Sequence, residues 1–153
     1  MNLYRGLNFD ELEEANQNGF IKVKKDRYPR HSNELVHKYA DEVFFEKFGI
    51  KFRSQSIFCT GYIDSAFQYG KVKCIEPIVD ENSKICWSPI VDDFIDIEDA
   101  IDMKNITKEA VQNFIESKNY QVRKFNGLHE AIKSKNEIMV YCDTYKIKDC
   151  SEE

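Results

Sequence analysis

Glu137 is the residue on which a chemical reading of this chain turns. It heads an apolar, β-prone run, Asn136-Glu137-Ile138-Met139-Val140-Tyr141-Cys142-Asp143-Thr144-Tyr145-Lys146-Ile147. Alternation puts Met139 and Tyr141 on one face and Ile138, Val140 and Cys142 on the other, the pattern of a central strand buried on both sides. A carboxylate at the mouth of such a strand sits where a sheet opens to solvent. There it can hold ribose hydroxyls and stabilise a developing oxocarbenium ion, or it can simply begin the strand.

Two further stretches have a chemical cast. In Tyr4-Arg5-Gly6 a strand-end arginine suits a phosphate or ribose-phosphate anion. In Ile57-Phe58-Cys59-Thr60-Gly61, with Tyr69 behind it, aromatic and hydroxyl groups suit a flat heterocycle that needs stacking and edge hydrogen bonds. Taken together, these residue types describe an NAD site in which the nicotinamide–ribose bond is broken. An α+β binding domain without chemistry accounts for them as well.

Composition bounds the alternatives. A chain of 153 residues, 42% hydrophobic and with eleven Phe and eight Tyr, predicts one globular domain with a substantial core. The formal net charge of -5, with lysines scattered, argues against a general nucleic-acid-coating surface. No stretch reaches the roughly 18–20 apolar residues of a membrane span, and the N-terminus lacks the apolar core of a signal peptide. The five cysteines (Cys59, Cys74, Cys86, Cys142, Cys150) form no CxxC, and four lie in apolar runs, which predicts reduced, buried thiols and a cytoplasmic location. No close Cys/His pairs or calcium-loop pattern are present, so no metal is expected.

The elements that must position these residues follow from spacing and caps. Leu3–Leu7 reads as a short strand, and Asn8 or Asp10 caps a helix that stops near Gly19. Phe20–Arg30 is a basic strand or loop. From Ser32, apolar residues at helical spacing run to Phe48, and Gly49 ends the helix; its His37 reads as a packed or surface histidine. Ser54–Gly61 is a strand, Ile63–Tyr69 a short helix closed by Gly70, Val72–Ile78 a strand, and Ile85–Pro89 another short strand stopped by its proline. Asp92–Asp102, with six acidic residues, is a solvated loop or short helix. Thr107 caps a second clear helix, Gln121–Arg123 is a strand, and Gly127–Lys133 is a short helix. From about Lys148 the chain reads as a polar, frayed tail. Strands and helices do not alternate strictly, so the class is α+β in one domain spanning 1–153.

On these same three stretches, in order, the chain resembles the ADP-ribosyltransferase superfamily. Leu3-Tyr4-Arg5-Gly6 is similar to the first-strand motif, in which an aromatic precedes Arg or His and then Gly; arginine is the form found in toxin-like transferases. Ser56-Ile57-Phe58-Cys59-Thr60-Gly61, continuing through Ser65-Ala66 to Tyr69, resembles the second motif and its helix. Asn136-Glu137-Ile138-Met139-Val140-Tyr141 is similar to the family strand Asn-Glu-Tyr-Ile-Val-Tyr, whose glutamate is catalytic. The resemblance implies split mixed or antiparallel sheets flanked by short helices.

It also implies a set of roles. Glu137 would be catalytic; Arg5, Tyr4, Gly6, Phe58, Cys59, Thr60 and Tyr69 would bind NAD, which serves as substrate. Arg5 would anchor ribose or phosphates, and Phe58 and Tyr69 would sandwich nicotinamide, with Thr60 ordering the strand. Lys135 stands where arginine-modifying members carry Glu or Gln, and a lysine repels an arginine acceptor. The histidine of polymer-forming members is absent. The implied activity is therefore mono-ADP-ribosyl transfer, a glycosyltransferase reaction, to a macromolecular acceptor other than arginine, protein ahead of nucleic acid. A monomer or weak dimer acting as a phage or mobile-element effector in a host cytoplasm fits the family's habits. A non-catalytic module binding nucleotide or a host protein, and an NAD glycohydrolase, are the alternatives.

Overall fold

The computed structural model describes residues 1–28 and 32–151; Pro29 and Arg30 of the basic stretch, and Glu152 and Glu153 of the tail, lie outside the described residues. Eight strands are present among the described residues: β1 (Tyr4–Leu7), β2 (Ile21–Lys22), β3 (Ile57–Thr60), β4 (Lys71–Ile78), β5 (Lys84–Trp87), β6 (Gln121–Arg123), β7 (Glu137–Tyr141) and β8 (Thr144–Lys148). They hydrogen-bond in the order β2-β8-β4-β1-β3-β7-β5-β6, with every pairing antiparallel.

The sheet is narrowest in the middle. β1 and β3 share a single register pair, Tyr4 opposite Thr60, whereas β4 and β8 share five. Connectivity shows that the two halves fold about this seam. Only Cys142 and Asp143 separate β7 from β8, so Tyr141 and Thr144 lie at most about 11 Å apart. Four strand spacings in a flat sheet would put β7 and β8 about 19 Å apart. The sheet must therefore depart from flat, bringing the start of β8 close to the end of β7. The apolar run 136–147 is thus not one central strand, as its pattern predicts, but two consecutive strands serving different halves. Its break falls at Cys142–Asp143, where the Cys142 carbonyl is held by Lys25 Nζ (2.9 Å) and the Asp143 carbonyl by the Val23 N–H (2.9 Å).

Helices cover both faces. α1 (Phe9–Asn18) and α7 (Leu128–Lys133) lie over a core containing Ile57, Trp87, Ile138, Val140 and Tyr145. α2 (Glu34–Phe48) and α6 (Lys108–Ser117) lie over a second core containing Phe44, Phe94, Phe114, Cys86 and Met139. The alternation expected for Ile138, Met139 and Val140 is the one observed, and all three are buried. α1 begins in a capping box: the Asn8 side chain accepts from the Glu11 N–H (2.8 Å), and the Glu11 carboxylate accepts from the Asn8 N–H (3.2 Å). Gly19 and Gly49 close α1 and α2 in the left-handed conformation. The cap of α2 is Asn33, whose side chain accepts from the Leu35 and Val36 N–H groups.

Three further expectations are overturned. Ser54 and Gln55 do not extend β3 but end a helical turn, α3 (Phe52–Gln55), because Asp41 on α2 accepts the Arg53 and Ser54 N–H groups (3.0 and 3.1 Å). Among the described residues the tail is tied down as far as Ser151, and not all five cysteines are thiols. Cys150 is disulfide-bonded to Cys74 on β4, and Ser151 donates to and accepts from the buried Asn2 amide (N to Oδ1 2.9 Å, Nδ2 to O 2.9 Å). An amide buried this deeply requires such partners. Cys59, Cys86 and Cys142 are free and buried.

The acidic stretch after Asp92 forms a 3-10 turn (Phe94–Asp96) and α5 (Ile97–Ala100). The segment Ile63–Tyr69 forms α4 (Ile63–Ala66) and a 3-10 turn that ends at Gly70. Among the described residues no helix is long and apolar enough to cross a membrane, and no cluster of three or more His, Cys, Asp or Glu could hold a metal.

Candidate active site

Where β1 and β3 part beyond the Tyr4–Thr60 pair, the sheet opens into a cleft of about 330 Å³. A smaller recess of about 40 Å³ adjoins it. Parting strands leave carbonyls without ladder partners, and these must be satisfied elsewhere. Here guanidinium groups do so: Arg5 Nη1 donates to the Phe58 carbonyl (3.0 Å) and Arg27 Nη1 to the Ser56 carbonyl (2.6 Å). The seam that opens the cleft thus carries two guanidinium groups, that of Arg5 paired with Glu11.

Arg5 is almost wholly buried, at 6% exposure, and each of its guanidinium nitrogens has a partner. Its Nη2 pairs with Glu11 Oε2 (2.9 Å) and its Nε donates to the Tyr145 hydroxyl (3.3 Å). Burial alone would lower its pKa, but Tyr145 and Glu11 outweigh burial and raise it. Burial likewise pushes the Glu11 carboxyl up, yet Arg5, the Tyr145 hydroxyl and the Asn8 N–H together hold it below 4.5. Arg27 has no carboxylate partner among the described ion pairs; burial and the neighbouring charge of Arg5 pull it down to about 10.

Glu137 enters the cleft from the head of β7, opposite Thr60. Its Oε1 lies 2.7 Å from Arg53 Nη1. Desolvation pushes its carboxyl up; Arg53 opposes this, nearby Asp93 adds to it, and the net direction is upward. Arg53 is 3% exposed, and its guanidinium carbon stands 4.1 Å from the Phe58 ring centroid and 4.4 Å from that of Phe94. Arg27 stands over the Phe58 ring as well, at 5.2 Å. Tyr69 hydrogen-bonds Asp93 and reaches the cleft from the turn before Gly70. Gly6 permits this turn to close over β1: a Cβ there would meet the Ala66 carbonyl oxygen and the Tyr69 carbonyl carbon at 2.8 Å.

Of the expected site residues, Glu137, Arg5, Gly6, Phe58 and Tyr69 line the main cleft, while Cys59 and Thr60 line the adjoining recess. Thr60 Oγ1 accepts from the Tyr62 N–H (3.0 Å) and donates to the Lys135 carbonyl (3.4 Å), tying the end of β3 to the turn that delivers Glu137. The Cys59 thiol is pushed up to about 12, chiefly by burial, which suits a packing residue rather than a nucleophile. Tyr4 lines neither cavity; it packs with Ala66 and Cys74, and its hydroxyl accepts from Asn2 Nδ2 (3.2 Å).

Glu11, Arg27, Arg53 and Asp93 line the cleft without a sequence expectation as site residues, Arg27 lying in a stretch that reads only as a basic strand or loop. Glu11 has a readable signal, the Asn8-x-x-Glu11 spacing of a capping box. Asp93 is concealed in an acidic run that reads as solvated. Arg53 has no local signal, because its placement depends on Asp41 twelve residues earlier.

Comparison of the chain with protein-family models, with curated proteins and with solved structures found no match. The site is therefore read from its own geometry.

Proposed function

We propose that this chain is an NAD-dependent mono-ADP-ribosyltransferase, acting on a macromolecular acceptor, protein ahead of nucleic acid, and not on arginine. The observation that carries the reading is convergence. Arg5 on β1, Phe58 on β3, Tyr69 after α4 and Glu137 on β7, remote in sequence, all line one cleft whose volume falls in the range of small-molecule sites. The fold supports it too: two half-sheets meeting at one register pair suit the split-sheet arrangement that the resemblance implies.

The proposed chemistry uses this chain's residues as follows. Arg5 and Arg27 attract the diphosphate, and Tyr69 offers a ring to nicotinamide. The C1′–N bond breaks with its electron pair leaving on nicotinamide. Glu137, hydrogen-bonded to the ribose 2′-hydroxyl, stabilises the positive charge that develops at C1′. The acceptor's nucleophile then attacks C1′ and loses its proton. As an effector, such an enzyme would act in a host cytoplasm.

One observation favours a second reading. The Arg53 guanidinium covers the Phe58 ring, so the two-ring nicotinamide sandwich that the resemblance implies is reduced to Tyr69, a loss that a module binding nucleotide without cleaving it tolerates. Incubation with labelled NAD and cell lysate, wild type beside Glu137→Gln, separates the two. A labelled macromolecule that disappears with Glu137→Gln supports the transferase. Free nicotinamide without labelled product indicates NAD hydrolysis instead, and NAD bound but intact favours the module.

A further inference from the structure

We propose that Arg53 is a positioning residue for Glu137, a guanidinium locked in an aromatic slot that fixes where the carboxylate points into the cleft. The proposal rests on the reading of Glu137 as the working carboxylate, but the geometry behind it belongs to the structure alone.

Arg53 is restrained from three directions. Its backbone N–H is held by Asp41 Oδ1 on α2 at 3.0 Å, so the start of α3 cannot drift from the helix beneath it. Its guanidinium lies between Phe58 and Phe94, at 4.1 and 4.4 Å from their ring centroids, a cation–π arrangement strengthened by burial. Its Nη1 reaches both Glu137 Oε1 (2.7 Å) and Met139 Sδ (3.4 Å), two side chains on the same face of β7. A planar guanidinium held at backbone, rings and Nη1 has little freedom left, and it restrains the Glu137 oxygen paired with it. The chain of support runs from α2 through Asp41 and α3 to Arg53, and only then to β7.

This arrangement differs from a pair that merely fills the core. Both Arg53 and Glu137 line the cleft. A buried pair whose only task is stability is readily replaced by apolar groups, whereas one on a cavity wall keeps a charged oxygen available to a ligand. Phe58 thus acts as a wall of the arginine slot, which leaves Tyr69 as the ring offered to a bound heterocycle. The charged and titratable groups acting on Glu137 are Arg53 from α3, Asp93 from the turn before α5, Tyr69 after α4, Cys86 on β5 and Tyr120 before β6. Arg53 is the cation among them, so its removal leaves the carboxyl with burial and acidic neighbours.

The test is a ¹³C NMR titration of the glutamate carboxyls in wild type, Arg53→Met and Arg53→Lys, with Glu137 assigned by its loss in Glu137→Gln. Nicotinamide release is measured beside it. Arg53→Met should raise the Glu137 midpoint by about one pH unit or more. It should also lower kcat by about tenfold or more, with KM for NAD changed less than about threefold, and move the acid limb upward with the NMR midpoint. Arg53→Lys, which keeps the charge and loses the planar group seated between the rings, should hold the midpoint nearer wild type while kcat still falls. An unmoved midpoint in folded Arg53→Met overturns the proposal, and so does a loss confined to KM. If Arg53→Met fails to fold, Arg53→Lys decides: wild-type kcat there overturns it. If wild type does not cleave NAD, the midpoint comparison still decides whether Arg53 governs Glu137, and only the transferase reading falls.

Discussion

Tyr145 donates its hydroxyl hydrogen to Oε2 of Glu11 at 2.6 Å, the same oxygen that pairs with Arg5. One carboxylate therefore caps α1 through its other oxygen, pairs with the β1 arginine and receives the β8 phenol. The first helix, the seam strand and the last strand meet at this atom.

That meeting sets an acid-side stability loss. The Glu11 carboxyl is held below 4.5 in the fold, so its contribution is present above the ordinary carboxylate value and lost as pH falls through the lower folded value. Tyr145→Phe removes one of the groups holding it down and should cost about 1–2 kcal/mol near neutrality. Its stability should also decline less steeply on acidification. Urea denaturation from about pH 6 to about pH 3 checks both.

Glu137 has the opposite sign. Desolvation raises its carboxyl above 4.5, and the proposed chemistry needs the ionised form. Nicotinamide release should therefore fall on acidification with a midpoint above that of an ordinary glutamate. Glu137→Gln should lower the rate by about 10²–10³-fold at neutral pH. A pH–rate profile with retained NAD binding by the variant is the measurement.

Gly6→Ala should disturb the cleft by crowding rather than by charge. The added methyl meets Ala66 and Tyr69 backbone atoms at 2.8 Å, and backbone gives way less readily than a flexible side chain. A loss of about 1–3 kcal/mol is expected, with weaker NAD binding because the Tyr69 turn lifts. Denaturant midpoints and calorimetric titration report the two effects separately.

The Cys74–Cys150 bond closes a loop across a sequence separation of 76 and lies outside the residues lining the cleft. Cys150→Ser, or added reductant, should lower stability by about 2–4 kcal/mol while leaving nicotinamide release per folded molecule unchanged. Thermal unfolding with and without reductant, followed by activity at low temperature, tests this.

Much of this architecture was legible because its signals are local. Alternation in Ile138–Tyr141 gives the two buried faces of β7, and Asn8, Thr107, Gly19 and Gly49 mark helix ends through backbone groups within a turn of themselves. Arg5 and Glu137 were legible as candidates because a charge bordering a β-prone run stands out from its neighbours. What escaped was tertiary. The turn at Phe52–Gln55 exists because Asp41 caps it from another helix, and a strand-like string of small hydroxyl residues gives no hint of that. Tyr4, adjacent to the site in sequence, packs away from the cleft with Ala66 and Cys74.

Trp87, the chain's one tryptophan, sits 2% exposed in the sheet with Ile138 as its register partner. A single indole with a dry environment and one residue's remove from Glu137 makes an intrinsic optical gauge. Its emission should be blue-shifted and resistant to acrylamide quenching in the native state, then move to longer wavelength when the β5–β7 ladder comes apart. Every stability measurement above can thus be followed without a dye, at the strand that carries the carboxylate.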